Sequence, residues 1–177
     1  HTFENIVKVI RSLFGGPMLQ LAAKQMTGYL VLDALVGNTD RHHQNWGIVL
    51  EAGAGSLSIQ LAPTFDHASS LGRELSDEAR IRLMRENGVE RYIRKGRGGI
   101  FENAEARHGM SPIDLAFLLA QKFPDLFRPW QEKVAALALP DLTSIINRVP
   151  EERMSVPARD FALTLVTTSC TLLQTAL

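Results

Sequence analysis

Asp40, Asn45 and Asp66 are the residues whose types and spacing fit chemistry. The run Asp40-Arg41-His42-His43-Gln44-Asn45 sets an amide five residues after a carboxylate, and Asp66 follows two short apolar stretches. A carboxylate on a loop fixed by a helix end can accept the proton of an incoming hydroxyl. An amide oxygen one turn on, and a second carboxylate brought back by a hairpin, form a sparse set of hard oxygens. Mg²⁺ favours such a set, with phosphate and water in its other positions. Phosphoryl transfer needs an aligned nucleophile and neutralised phosphate charge, and little covalent help. The expected roles are Asp40 as base, Asn45 and Asp66 as metal ligands, and Mg²⁺-ATP as phosphoryl donor.

Other polar residues carry weaker signals. His42 and His43 suggest zinc, but adjacent loop histidines point in different directions and no cysteine pair lies nearby. A structural or nucleotide-contacting role fits them better. His67 reads either as a partner of Asp66 or as a plain loop residue. Arg94-Lys95-Gly96-Arg97-Gly98-Gly99 lacks the order of a nucleotide-binding glycine loop. It reads first as a solvated basic loop and second as a phosphate or substrate contact. Asp33 falls inside an apolar helix and reads as a hydrogen-bonded structural carboxylate. Cys170 reads as inert packing.

The elements that must position these residues follow from periodicity. Phe3, Ile6, Val7, Ile10, Leu13 and Phe14 recur at helical spacing. Gly15-Gly16 closes that helix and Pro17 suits the start of the next. Residues 17–36 are apolar on most sides, as a central buried helix would be. Gly37-Asn38 caps it and releases the chain into the Asp40–Asn45 loop. Trp46–Leu50 and Leu57–Leu61 predict a β-hairpin with a loose turn over Glu51–Ser56. Pro63 breaks the second strand before Phe65-Asp66. Helices are then expected over 77–87, from a Ser111 cap to about Lys122, and over 124–137, 140–148 and 156–176. The fold class is α+β, predominantly α-helical, with one embedded hairpin.

Bulk properties agree with one domain, or one lobe of a larger protein, spanning 1–177. Formal net charge is zero, so no field favours nucleic acid or an anionic membrane. A single cysteine excludes an internal disulfide, and a cytoplasmic location is expected. Threonines and a serine interrupt the apolar stretch 161–177, which is short for a membrane span. The chain opens on His1 rather than Met and reads as a fragment, or as carrying a tag remnant.

The stretch Val31 to Gly47, with Asn38-Thr39-Asp40-Arg41-His42 and Asn45 at its centre, resembles the catalytic segment of HipA-type serine/threonine kinases. Leu61-Ala62-Pro63-Thr64-Phe65-Asp66 resembles their metal-binding segment. Val149-Pro150 through Met154-Ser155, leading into Ala158–Phe161, is similar to the end of that family's C-terminal region. A similar Asp-Arg-x-x-x-Asn also occurs in lipid kinases of the phosphatidylinositol type. The resemblance implies a protein-kinase-like C-terminal lobe. It implies that Asp40 is the proton acceptor, that His42, His43, Gln44 and Asn45 line the nucleotide, and that Phe65 and Asp66 complete the nucleotide and metal site. Family members phosphorylate protein serine or threonine. Several are toxins of bacterial toxin–antitoxin pairs that act on translation proteins and have a DNA-binding antitoxin partner. The chain has no counterpart of the phosphate-covering loop and strand lysine of an N-terminal lobe. Activity is therefore expected in a longer parent chain or in a complex with a separate lobe. The rival expectation is a non-catalytic interaction module derived from such a lobe. A kinase of lipids or small molecules is the weaker third.

Overall fold

The structure is a computed structural model that describes residues 1–53 and 56–177. Its elements, in chain order, are α1 (Phe3–Leu13), α2 (Gly16–Val36), β1 (Ile48–Gly53), β2 (Ser56–Leu61), α3 (Asp77–Arg85), α4 (Val89–Lys95), α5 (Pro112–Lys122), α6 (Pro124–Ala135), α7 (Leu139–Asn147) and α8 (Val156–Gln174). The fold class is α+β: a helical body with one antiparallel pair of strands.

Helix α2 is the axis of that body. It packs on α1, α5, α6 and α8 and also touches β2. Met26, Leu30, Val31 and Ala34 of α2 join Phe127, Phe161 and Leu165 in one buried core. Gly28 lets α6 approach: a Cβ there would lie 2.4 Å from the Trp130 ring. Trp130 Nε1 in turn donates to the Lys24 carbonyl at 2.9 Å. The expectation of burial along all of α2 needs correction. Met18 and Leu21 are exposed, because the first two turns run beyond the helices that cover the rest.

The ends of α2 follow the sequence. Pro17 occupies its first turn, and Gly37 closes it in the left-handed region at φ 67°. The hairpin pairs from Ile48↔Leu61 to Gly53↔Ser56. Pairing thus extends further than the loose turn expected over Glu51–Ser56. The centre of that turn, Ala54 and Gly55, lies outside the described residues. Tyr29 on α2 holds the returning strand by donating to the Ala62 carbonyl at 2.8 Å.

Two further corrections concern the middle of the chain. Helix α4 was not expected, and Arg94 and Lys95 form its last turn rather than the start of a loop. Trp46 lies before β1, not within it. The remaining helices agree with the sequence pattern to within a few residues. Among the described residues, no helix is long and apolar enough to cross a membrane.

Candidate active site

The site is built where α2 ends. A carboxylate buried in an apolar helix requires a cation and further hydrogen bonds. Asp33, one turn before Gly37, receives both. Its Oδ2 accepts from Arg41 Nε at 2.7 Å, and its Oδ1 accepts from Arg41 Nη2 at 2.8 Å. Asn38 Nδ2 adds a third bond to Oδ1 at 2.8 Å. The Arg41 and Asp33 side chains are only 4% and 3% exposed. The left-handed turn at Gly37 makes this possible, because it folds the chain back so that Arg41 reaches Asp33.

Arg41 also ties the loop to the segment after the hairpin. Its Nη1 donates to the carbonyls of Asn45 and, at 3.1 Å, Phe65. Its Nη2 donates to Thr64 Oγ1 at 3.0 Å and lies 3.3 Å from His67 Nδ1. His67 Nε2 is 3.1 Å from the same threonine hydroxyl. One buried guanidinium thus joins the loop carrying Asp40 and Asn45 to the segment carrying Asp66. Two backbone bonds reinforce the union: Thr39 N–H to Ser69 at 3.3 Å, and Leu71 N–H to Val36 at 2.8 Å.

The candidate side chains sit on this frame with free oxygens. The Asp40 carboxylate is 45% exposed, and His42 Nε2 lies 3.7 Å from its Oδ1. His42 Nδ1 accepts the Gln44 N–H at 3.1 Å, so in the neutral ring the proton is on Nε2, facing Asp40. Asn45 is buried, and its Nδ2 donates to the Asp40 carbonyl at 2.6 Å. Its Oδ1 is left without a hydrogen-bond partner among the described residues. Asp66 is exposed, and its backbone is left-handed at φ 55°. Aspartate tolerates that region better than most residues, at a cost of about 1 kcal/mol.

Of the residues expected at the site, Asp40, His42 and Asn45 converge on one loop, and Phe65-Asp66 is bound to that loop through Arg41. His43 and Gln44 are exposed and make no side-chain hydrogen bond to this frame among the described residues. The His43 ring lies against those of His42 and His1, at 5.8 and 6.1 Å. No group of three or more His, Cys, Asp or Glu side chains converges among the described residues. The oxygens on offer are one amide and separate carboxylates, a donor set for a hard cation that keeps other ligands.

Sequence reading missed the role of Arg41, and gave Asn38 a capping role but not its bond to Asp33. A signal existed. A carboxylate within an apolar helix needs a cation, and Arg41 is the first one after the helix. His67 proves to be a partner of the Arg41–Asp33 pair. The basic stretch has its side chains exposed, as a solvated loop would, while its glycine backbone packs on the Asp40 loop. A Cβ on Gly99 would lie 2.9 Å from the His42 backbone, and one on Gly96 would lie 3.3 Å from Thr39 Cγ2.

Comparison with known proteins defines the class first. The fold is similar to that of the crystal structure of a Helicobacter pylori proinflammatory kinase, CtkA, with a TM-score of 0.76 and 19% sequence identity. The similarity covers 98% of this chain and 59% of that one, so the chain spans well under two-thirds of its neighbour's length. The likeness is one of fold. Residues 1–122 match the HipA-like C-terminal domain, and the chain belongs to that family. No curated protein matches the chain.

Proposed function

We propose that this chain is the base- and metal-bearing lobe of an ATP- and Mg²⁺-dependent protein serine/threonine kinase. The observation that carries the reading is the Arg41 clamp. It fixes a half-exposed carboxylate, an amide with a free oxygen and a second exposed carboxylate on one rigid frame. Membership of the HipA-like family supports the same reading.

In this reading the acceptor hydroxyl approaches Asp40, which takes its proton as the oxygen attacks the γ-phosphorus. The bond from the γ-phosphorus to the bridging oxygen breaks, and ADP carries the electron pair away. Asp40 later returns the proton to solvent. His42 Nε2, 3.7 Å from the Asp40 carboxylate, lies near it without a hydrogen bond. Asn45 Oδ1 and Asp66 would hold Mg²⁺, which supplies positive charge to the phosphate oxygens. Arg41 does not touch the substrate. It sets the separation of the base from the metal-binding oxygens, where small displacements cost large factors in rate.

The lobe that covers the phosphates is proposed to come from the rest of the parent chain or from a separate subunit. The 59% coverage of the neighbouring kinase supports this. A translation protein as substrate and an antitoxin as partner belong to the same proposal and rest on the family alone.

The test is transfer from γ-labelled ATP to protein in a host lysate, with the chain in its full-length parent. Label that requires Mg²⁺ and disappears with Asp40→Asn is the expected result. Absence of transfer, together with absence of Mg²⁺-ATP binding, would overturn the reading and leave an interaction module.

A further inference from the structure

A cleft opens at Thr39, the residue before the proposed base. It has a volume of about 330 Å³ and is walled by Thr39, Ser69, Glu74, Tyr92, Lys95 and Arg97, among others. Asp40, Asn45 and Asp66 do not line it, but Thr39, the residue before Asp40, does. Thr39 precedes Asp40 directly, so the cleft begins about 3.8 Å along the backbone from the base. An extended peptide that offers a hydroxyl to Asp40 would lay a neighbouring side chain there, since each residue advances it by about 3.3 Å.

The charges in this cleft are not matched. Arg94, the first cation of the stretch, is tied to Glu90 at 2.8 Å. Lys95 and Arg97 form no ion pair among the described residues, and both are exposed. Glu74 is the one carboxylate on the wall. It accepts the Tyr92 hydroxyl, and burial followed by the Glu74 bond pushes the Tyr92 phenol well above its ordinary value. Tyr92 is thus held protonated as the donor, and the cleft keeps a net positive charge.

The backbone that bears these cations is anchored. The glycines of the stretch lie against Thr39 and the His42 backbone, so the backbone that carries the cations is packed on the Asp40 loop. Gly98 N–H donates to the Met110 carbonyl at 2.8 Å and closes the loop from the other side.

We propose that this cleft is an acceptor-side subsite that takes a carboxylate side chain within about three residues of the phosphorylated hydroxyl. The substrate is then an acidic peptide segment. This rests on the kinase reading for the identity of the hydroxyl, but the binding it predicts does not require transfer.

The test uses the full-length protein and three fluorescent serine peptides alike except for the flanking positions, which are aspartate, alanine or lysine. Two partly exposed ion pairs are together worth about a factor of ten in affinity. Anisotropy should give a Kd for the aspartate peptide about ten-fold below that for the alanine peptide, with the lysine peptide weakest. The ratio should collapse toward one in Lys95→Ala/Arg97→Ala, rise in Glu74→Gln and shrink with added salt. The Kd for Mg²⁺-ATP should stay the same in Lys95→Ala/Arg97→Ala. Equal binding of the three peptides, a preference that survives the double substitution, or a loss of ATP affinity would each overturn the proposal. Selective binding without transfer would leave the subsite standing and count against the kinase reading alone.

Discussion

Replacing Arg41 with Met tests the frame of the site directly. The substitution keeps most of the side-chain volume and removes the charge and every donor. Asp33 would lose two charge-assisted bonds, at 2.7 and 2.8 Å, and keep one hydrogen bond, from Asn38, with His67 Nδ1 3.8 Å away. Its carboxylate is 3% exposed, so water cannot replace the guanidinium without opening the helix end. Removing one partner of a buried pair costs about 3–5 kcal/mol. The carbonyls of Asn45 and Phe65 and the Thr64 hydroxyl lose a donor as well, which favours the upper part of that range. For a chain of this size the loss corresponds to about 6–20 °C in Tm. Urea denaturation should show the midpoint fall with an unchanged slope. Asp33→Leu/Arg41→Met should be much less damaging than the sum of its single substitutions, since no charge is left stranded. A loss below about 1 kcal/mol for Arg41→Met, or additive effects in the double variant, would refute the clamp as a buried ion pair.

Other perturbations address separate parts of the structure. Gly72→Ala should cost about 2–4 kcal/mol in denaturation experiments, because its φ is +66° and an added Cβ would lie 2.4 Å from the Phe161 ring. Asp77 joins α3 to the start of α8 by accepting from Ser155 Oγ at 2.9 Å, and that bond, followed by Arg80, lowers its carboxyl below the ordinary value. Its contribution to stability is complete above the ordinary aspartate range and fades as pH falls through the lowered value, so Asp77→Asn should flatten the acid limb of a stability–pH curve. Burial raises the Cys170 thiol, so at neutral pH iodoacetamide should label the native protein far more slowly than the urea-unfolded chain, as mass spectrometry would show.

The sequence made the ends of α2 and the hairpin legible, because each rests on local rules. Gly37 caps a helix wherever a left-handed residue is needed. Leu57, Ile59 and Leu61 alternate as a half-buried strand should, although Leu57 turns out exposed. Helix α4 was not legible. It has seven residues, with Val89 and Ile93 as its buried positions, too short a pattern to establish a period. The exposure of Met18 and Leu21 could not be read either, because apolar spacing does not say where the covering helices end. Asp66 was found by its place after Pro63, but its left-handed backbone leaves no mark in the sequence. Arg41 shows the limit most clearly. Its residue type was visible, but pairing with Asp33 requires the chain reversal at Gly37, and spacing alone does not supply that geometry.

The most direct test of the central claim separates binding from chemistry in the full-length protein. Mg²⁺-ATP affinity and single-turnover phosphate transfer would be measured for the parent, Asp40→Asn and Asp66→Asn. The account predicts that Asp40→Asn keeps its ATP affinity while transfer falls by about 10²–10⁴-fold. It predicts that Asp66→Asn loses the Mg²⁺-dependent part of that affinity along with transfer. Transfer by Asp40→Asn at the parental rate, or Mg²⁺ dependence undiminished in Asp66→Asn, would contradict the assignment of base and metal-binding oxygens.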